Sequence, residues 1–162
     1  MRTPSGYSRA QIALHWIVFA LIVQQYLFKD SISAAWDRVT EGVETGFDPL
    51  VLLHIVGGAL VLLFALWRLA LRVRRGAPVP VEGSAVQKMA SKLTHLGLYA
   101  LMILMPVSGS LAWFGGVEAA AQSHNAMKLI LLALVTLHVA ATLWHQFVRR
   151  DSTLARMRRA EG

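Results

Sequence analysis

Four long apolar stretches, separated by polar segments, dominate the pattern of hydrophobic and polar positions along the chain. They cover about residues 9–28, 49–71, 88–114 and 124–148. A helix needs about 20 apolar residues to cross a hydrocarbon core of about 30 Å, and all four stretches reach that length. The pattern therefore predicts an all-α fold, a four-helix transmembrane bundle that forms a single membrane domain over residues 1–162.

The segments between these spans carry the signals of turns and loops. We expect a polar arm at residues 1–8, a loop rich in Asp, Glu and Gly at 29–49, and a linker interrupted by Pro and Gly at 76–87. A short turn at 115–122 leads into the fourth span. Pro106 lies inside the third span, where its ring removes a backbone hydrogen bond and predicts a kink.

The composition is typical of a membrane protein. Hydrophobic residues make up 56% of the 162 residues, and the mean hydropathy of +0.51 is too high for an ordinary soluble domain. The first apolar stretch has no small-residue cleavage site, so we expect a retained span rather than a signal peptide. The chain has no cysteine, which excludes disulfides, thiolate metal sites and covalent haem attachment.

The distribution of the net charge of +7 indicates lipid, and not nucleic acid, as the partner. Cations cluster at the ends of the apolar stretches, where anionic headgroups attract them. The 29–49 segment instead holds two cations and five anions. By the positive-inside rule we expect a multi-pass protein of the bacterial inner membrane with both termini in the cytoplasm. The cations on that side are Arg2, Arg9, Arg68, Arg72, Arg74, Arg75, Lys88, Lys92, Arg149, Arg150, Arg156, Arg158 and Arg159.

Histidines in the spans are the strongest functional signal, because ionisable side chains are costly in lipid. The fourth span carries His124, His138 and His145. His124 and His138 lie on one helix face, about 40° apart in rotation and about 21 Å apart along the axis. One imidazole near each side of the membrane suits two stacked haems. The alternative is that such histidines only hydrogen-bond to a neighbouring helix or lie at the headgroup level.

Depth in the membrane predicts how the histidines pair. Haem iron takes an axial imidazole from each side, so two haems need four histidines on facing helices. His15 and His54 should differ in depth by about 15–20 Å, and on the fourth span the 124/138 pair, at about 21 Å, fits that difference best. We expect His54 and His124 to bind one haem b iron on the periplasmic side, and His15 and His138 a second one toward the cytoplasm.

Small residues and one lysine lie beside these histidines. Gly57 and Gly58 follow His54 on its helix face, and Ala141 follows His138, which leaves space for a flat macrocycle. Lys128 lies one turn beyond His124. It either snorkels to the interface or pairs with a haem propionate.

The sequence resembles the prokaryotic cytochrome b561 family, whose wider group includes the cytochrome b subunits of nickel–iron hydrogenases. The resemblance covers nearly the whole chain. It implies a four-helix membrane bundle that holds two non-covalent b haems, with ligands at His15, His54, His124 and His138, and exchanges electrons with quinone. The segments that carry it are YSRAQIALHWIVFALIV at 7–23, LLHIVGG at 52–58, THLGLYALMILMPVSG at 94–109 and HVAATLWHQFVRRDSTLARM at 138–157.

Among short members of this kind, the chain is similar to superoxide oxidase, which passes electrons from periplasmic superoxide to ubiquinone. The resemblance implies an enzyme, a superoxide:quinone oxidoreductase. Lys128 is the cation best placed to focus superoxide, whereas the net charge of −3 on residues 29–49 opposes the approach of an anion. Quinone reduction also consumes protons, and the candidate groups for supplying them are His145, His95 and Arg9.

Two other functions stay open. The first is an electron-relay cytochrome b subunit that receives electrons from a dehydrogenase or hydrogenase partner. The second is a haem-free transporter that uses the histidines as a metal path. The lack of Asp and Glu in the four spans counts against the transporter, because cation pathways usually include carboxylates.

The pairing of four histidines at two depths predicts two b haems per chain. Acid acetone should release both haems, since no cysteine anchors them. A pyridine haemochrome assay on purified protein measures the ratio, and one haem per chain would reject the two-site model.

Overall fold

The computed structural model describes residues 6–76, 78 and 83–160 of the chain. A π-helical turn (His145–Arg149) and a 3₁₀ turn (Ala155–Met157) follow the last of its α-helices. Of the described helices, α1, α3, α4 and α5 with its π-helical turn are long and apolar enough to cross a membrane. The all-α fold and the four spans are therefore confirmed. The α-helices are α1 (Arg9–Leu27), α2 (Lys29–Thr40), α3 (Pro49–Arg75), α4 (Ala85–Gly115) and α5 (Glu118–Trp144).

Helix caps set the limits of the spans. The helices α3, α4 and α5 extend beyond the predicted stretches, whereas α1 ends one residue earlier, and residues 118–122, which were predicted to be part of a turn, form the start of α5. The side chain of Asp48 accepts a hydrogen bond from the backbone N–H of Leu50 at the start of α3, and Ser84 begins α4 with a capping box. Gly116, with a φ of 65°, ends α4 in the left-handed conformation that glycine adopts without strain. Residues 1–5 of the predicted arm, with Arg2, and residues 77 and 79–82 of the predicted linker lie outside the described residues.

The prediction of a loop over residues 29–49 was wrong for its first part, which forms α2. Asp30 lies in the first turn of α2 and Arg38 in the last turn, where each complements the helix dipole. Ala35 is buried and the helix packs against α3, while most other α2 side chains are exposed or partly exposed. Asp30, Asp37 and Arg38 lie on the exposed face of this amphipathic helix, whereas Glu41, Glu44 and Asp48 follow it.

The spans pack in the order α1, α3, α4 and α5, each against the next. We call the end where α1 finishes and α3 begins the α2 end, and the opposite end, where α3 finishes and α4 begins, the terminal end. Val18 and Ile22 of α1, Val61 and Ala65 of α3 and Met102 of α4 form the buried apolar cluster. Many large apolar side chains elsewhere on the spans are exposed, as expected for helices that face lipid.

Two hydrogen bonds join α1 to the C-terminal half of the chain. At the α2 end, the hydroxyl of Tyr26 donates to the backbone carbonyl of Lys128, 2.5 Å away. At the terminal end, the indole N–H of Trp16 donates to the carbonyl of Met157 at 3.0 Å. The tail beyond α5 therefore returns to the first helix.

Candidate functional site

Two pairs of histidine rings face each other inside the bundle, one pair at each end. At the α2 end the ring centres of His54 on α3 and His124 on α5 are 6.4 Å apart, with an interplanar angle of 61°. At the terminal end the rings of His15 on α1 and His138 on α5 are 6.2 Å apart, at 62°. The structure thus brings together the partners that depth in the membrane predicted.

The two ring separations fit a bis-imidazole metal site. A metal–imidazole bond is about 2 Å long, so the ring centres of two imidazoles on opposite sides of one iron lie roughly 6 Å apart. Both pairs meet that requirement. The ring of His95 is 5.2 Å from the ring of His138, edge to face, which leaves less room for an iron between them.

The ring of His124 is oriented by a backbone carbonyl of α4. Its Nδ1–H donates to the carbonyl oxygen of Met105 at 2.9 Å, and the hydroxyl of Ser108 is 3.3 Å from the same nitrogen. A donated Nδ1–H leaves Nε2 with a free lone pair, which is how ligating histidines are usually held. Gly109 makes the close approach possible, because a Cβ there would lie 3.2 Å from the ring atoms Cε1 and Nδ1.

His15 and His54 each carry a buried ring nitrogen that the polypeptide leaves unsatisfied. Among the described residues, the Nδ1 atoms of both rings lack a hydrogen-bond partner. Buried polar atoms in native proteins nearly always have a partner, so such an atom needs a specific explanation. One such explanation is a bound group that does not belong to the polypeptide, and the facing of the rings supports it.

A largely apolar cleft at the α2 end exposes both rings of its pair. His54 and His124 line it, together with Gly58, and a Cβ at Gly58 would meet no atom within 4 Å. Gly57 instead abuts the side chains of Gln24 and Gln25. Only one of the two glycines that were expected to leave space therefore faces the cleft.

Lys128 lines the same cleft, and its ammonium donates to the side-chain oxygen of Asn125 at 3.2 Å. Lys29 of α2 also lines the cleft and forms an ion pair with Asp30. Sequence reasoning counted Lys29 only as a loop charge. Its position in the sequence could have indicated this place, because a residue that directly follows the first span lies at the end of the bundle.

The terminal end gathers further polar groups around its pair. The Nδ1–H of His95 donates to the carbonyl of Ser91, one turn earlier on α4, at 2.7 Å. Arg68 of α3 lies within electrostatic range of His15, His95 and His138. In the sequence, Arg68 counted only as one of the cations that set the membrane orientation. It lies one turn inside the end of the second apolar stretch, and this position could have indicated that it reaches the histidines.

His145 and Arg9 occupy the outer layer of the terminal end. The Nδ1–H of His145 donates to the carboxylate of Asp151, 2.5 Å away. Burial opposes the ionisation of Asp151, but hydrogen bonds from His145 and Thr153 outweigh it and hold the pKa of that carboxyl at about 2. Arg9 is exposed in the first turn of α1, and in the described part of the chain no hydrogen bond joins it to the histidines.

Comparison with known proteins identifies the chain. The family model described as prokaryotic cytochrome b561 matches residues 6–160. The chain belongs to the prokaryotic cytochrome b561 family. It is 39% identical to a cytochrome b562 of Cereibacter sphaeroides, over 98% of this chain and 99% of the relative.

More distant members of the cytochrome b561 family also match over nearly their full length. A protein of Yersinia pestis named probable superoxide oxidase CybB is 26% identical, over 93% of this chain and 94% of the relative. Cytochrome b561 homolog 2 of Escherichia coli is 24% identical, over 96% and 92%. Membership of the cytochrome b561 family implies haem b and makes the chain a multi-pass membrane protein of electron transfer, an oxidoreductase.

The contact between Gly109 and His124 predicts a substitution that weakens haem retention. In Gly109→Ala the new methyl group presses on the ring that donates to Met105, and disturbing the outer hydrogen bond of a ligating histidine typically costs about tenfold or more in affinity. The haem-to-protein ratio after purification measures the loss. Gly115→Ala, in the same helix, is the control, because its Cβ would meet Val117 at an ordinary 3.5 Å. Equal ratios in both variants would contradict the expectation.

Proposed function

We propose that this cytochrome b561-family protein holds two b haems and passes electrons from superoxide to ubiquinone. The observation that carries the proposal is the pair of facing imidazoles at each end of the bundle, with ring separations of 6.4 and 6.2 Å. His54 and His124 would hold one haem, and His15 and His138 the other. When bound, the haems supply one-electron transfer across the membrane.

The proposed orientation follows from the charges of the two ends. The terminal end carries the arginines that close α3 and those around the π-helical turn, whereas α2 and the segment after it are net acidic. The positive-inside rule then places both termini in the cytoplasm of a bacterium and the α2 end in the periplasm. His54 and His124 would face the side on which superoxide arises.

Two imidazoles on each iron favour electron transfer without exchange of ligands at the metal. The polypeptide contributes by fixing the rings: Met105 holds His124 through its carbonyl, and the rings of His15, His54 and His138 are partly buried between the helices. Burial of this kind excludes water and tunes the reduction potential of a bound haem.

The overall reaction fixes what each end must do. Two superoxide anions give up one electron each and become two molecules of dioxygen, while one ubiquinone takes two electrons and two protons and becomes ubiquinol. The α2 end must admit an anion, and the quinone site must supply protons. We assign the proton supply to His145, with His95 as a second candidate, and leave Arg9 outside the site because it is exposed and lies apart from the histidines.

The charges around the cleft support an anionic donor. Lys128 lines the cleft that exposes His54 and His124, so a positive charge lies at its lining although the surrounding segment is acidic; Lys29 also lines the cleft, but Asp30 pairs with it. Asp37, Glu41 and Glu44 of that segment are exposed, and salt screens exposed charges. The name of the Yersinia pestis relative, at 26% identity, points in the same direction.

Substitution of the histidines tests the pairing. We expect His54→Ala and His124→Ala each to remove the haem of the α2 end, and His15→Ala and His138→Ala each to remove the other one. A haemochrome assay and a redox titration would then show one haem and one potential in each variant. If His138→Ala retains two haems while His95→Ala loses one, the pairing at the terminal end is wrong.

Pulse-generated superoxide, mixed with oxidised protein in detergent and followed by haem absorbance, tests the donor. We expect Lys128→Glu to slow haem reduction by about tenfold at low salt, because it reverses a charge at the cleft, and the effect to shrink as ionic strength rises. Lys92→Glu is the control, since it makes the same charge change at the terminal end. Absence of reduction by superoxide, together with ready reduction by ubiquinol, would sink the proposal and favour a relay cytochrome with a protein partner.

A further inference from the structure

The end of the fourth span has a geometry that places a carboxylate against His145. Here α5 widens into the π-helical turn His145–Arg149, and Arg150 follows in the left-handed region with a φ of 52°. A non-glycine residue rarely adopts that conformation, and such residues often lie at functional sites. The reversal carries Asp151 back over the turn, so that its backbone N–H donates to the carbonyl of His145 at 3.2 Å.

The carboxylate of Asp151 is held at both of its oxygens. One oxygen accepts the Nδ1–H of His145 at 2.5 Å. The other accepts the backbone N–H of Thr153 at 2.9 Å and the hydroxyl of Thr153 at 2.6 Å. The position of the carboxylate is therefore fixed by donors other than the imidazole, and it can in turn fix the ring.

An ionised carboxylate only accepts hydrogen bonds, so it determines which nitrogen of His145 keeps a proton. Nδ1 keeps its proton as long as Asp151 is ionised, and Nε2 is then the nitrogen that gains and releases one. The same division of roles between an aspartate and a histidine operates in serine proteases. The side chains of His145 and Asp151 are 26% and 15% exposed, which gives the imidazole access to protons from water.

The tail that carries Asp151 is anchored to the terminal end of the bundle, which contains the pair His15 and His138. Trp16, which donates to the carbonyl of Met157, is the neighbour of His15 in α1, and their rings are in edge contact. The carboxylate and His145 are thus held at the terminal end, where the proposed reaction needs protons for quinone.

We propose that Asp151 is a positioning residue that fixes the tautomer of His145, so that Nε2 delivers protons to the quinone. The inference rests on the proposed quinone role of His145. Each delivery breaks the Nε2–H bond and forms an O–H bond on the quinone. The electrons come from superoxide by way of the haems, and water on the cytoplasmic side restores the proton to Nε2. Two such deliveries complete ubiquinol.

The tautomer itself is the first test, because it is independent of quinone turnover. The probe is haem-loaded full-length protein, labelled with ¹⁵N-histidine and reduced with dithionite so that low-spin iron is diamagnetic. The resonances of His145 are assigned by their loss in His145→Gln. We expect a protonated Nδ1 and an exchanging Nε2 in the unsubstituted protein, and loss of that preference in Asp151→Ala. A protonated Nε2 with a bare Nδ1 in the unsubstituted protein would overturn the inference.

The second test is a double-substitution cycle on ubiquinone reduction. We expect Asp151→Ala to lower kcat by about tenfold or more with little change in KM. This fall in kcat should be smaller than the roughly 10²–10⁴-fold cost of losing a general acid. In the His145→Gln background the same substitution should have no further effect, since residues that act through one group are not additive. Equal effects in both backgrounds would show a merely structural role and overturn the inference.

Controls separate positioning from damage to the tail. Ser152→Ala leaves both oxygens of Asp151 bonded and should preserve the tautomer and the rate. Thr153→Val removes one donor to Asp151 and should give an intermediate loss of kcat, which keeps the inference testable if Asp151→Ala accumulates poorly. A His145→Gln protein that reduces ubiquinone at the unsubstituted rate would refute the quinone role of His145, whereas the NMR result judges the positioning by Asp151 separately.

Discussion

The need of buried imidazole nitrogens for partners is the constraint on which this bundle depends. Apolar helices offer few such partners, since their own backbone groups are already paired. His124 obtains one from the carbonyl of Met105, and His15 and His54 retain Nδ1 atoms without a partner among the described residues. The rings face each other in pairs, 6.2 and 6.4 Å apart, which is the arrangement that the proposed role as haem ligands needs. The buried apolar cluster of the described helices is small, so ligands that bind the histidines would also stabilise the bundle.

The two ends of the bundle differ in the chemistry that they offer. At the α2 end an apolar cleft exposes a ring pair, and Lys128 brings positive charge to its wall within an otherwise acidic surface. At the terminal end an arginine lies near three histidines, and His145 contacts the carboxylate of Asp151. One end suits a small anion and the other suits a reaction that consumes protons. The proposed path from a periplasmic electron donor to quinone makes use of that asymmetry.

Close approach between helices decides the details of the α2 end. Gly109 admits the ring of His124 to the backbone of α4, and Gly57 admits the glutamines of α1 to α3. Gly58, beside Gly57, faces the cleft. Neighbouring glycines in one helix thus serve different contacts, because consecutive residues point about 100° apart around the axis.

The sequence by itself determined the number of spans, the all-α fold and the position of each histidine along its helix, because hydrophobic length and helical rise are local quantities. It also determined the family, through motifs that run along nearly the whole chain. Only the tertiary structure decided which side chains meet across helices: Lys29 at the cleft, Arg68 near the inner histidines, and Asp151 against His145. Charge counts concealed α2, since an amphipathic helix at an interface and a polar loop have similar compositions. Such contacts depend on helix rotation, on a π-helical turn and on a left-handed residue, and none of these follows from hydrophobic periodicity.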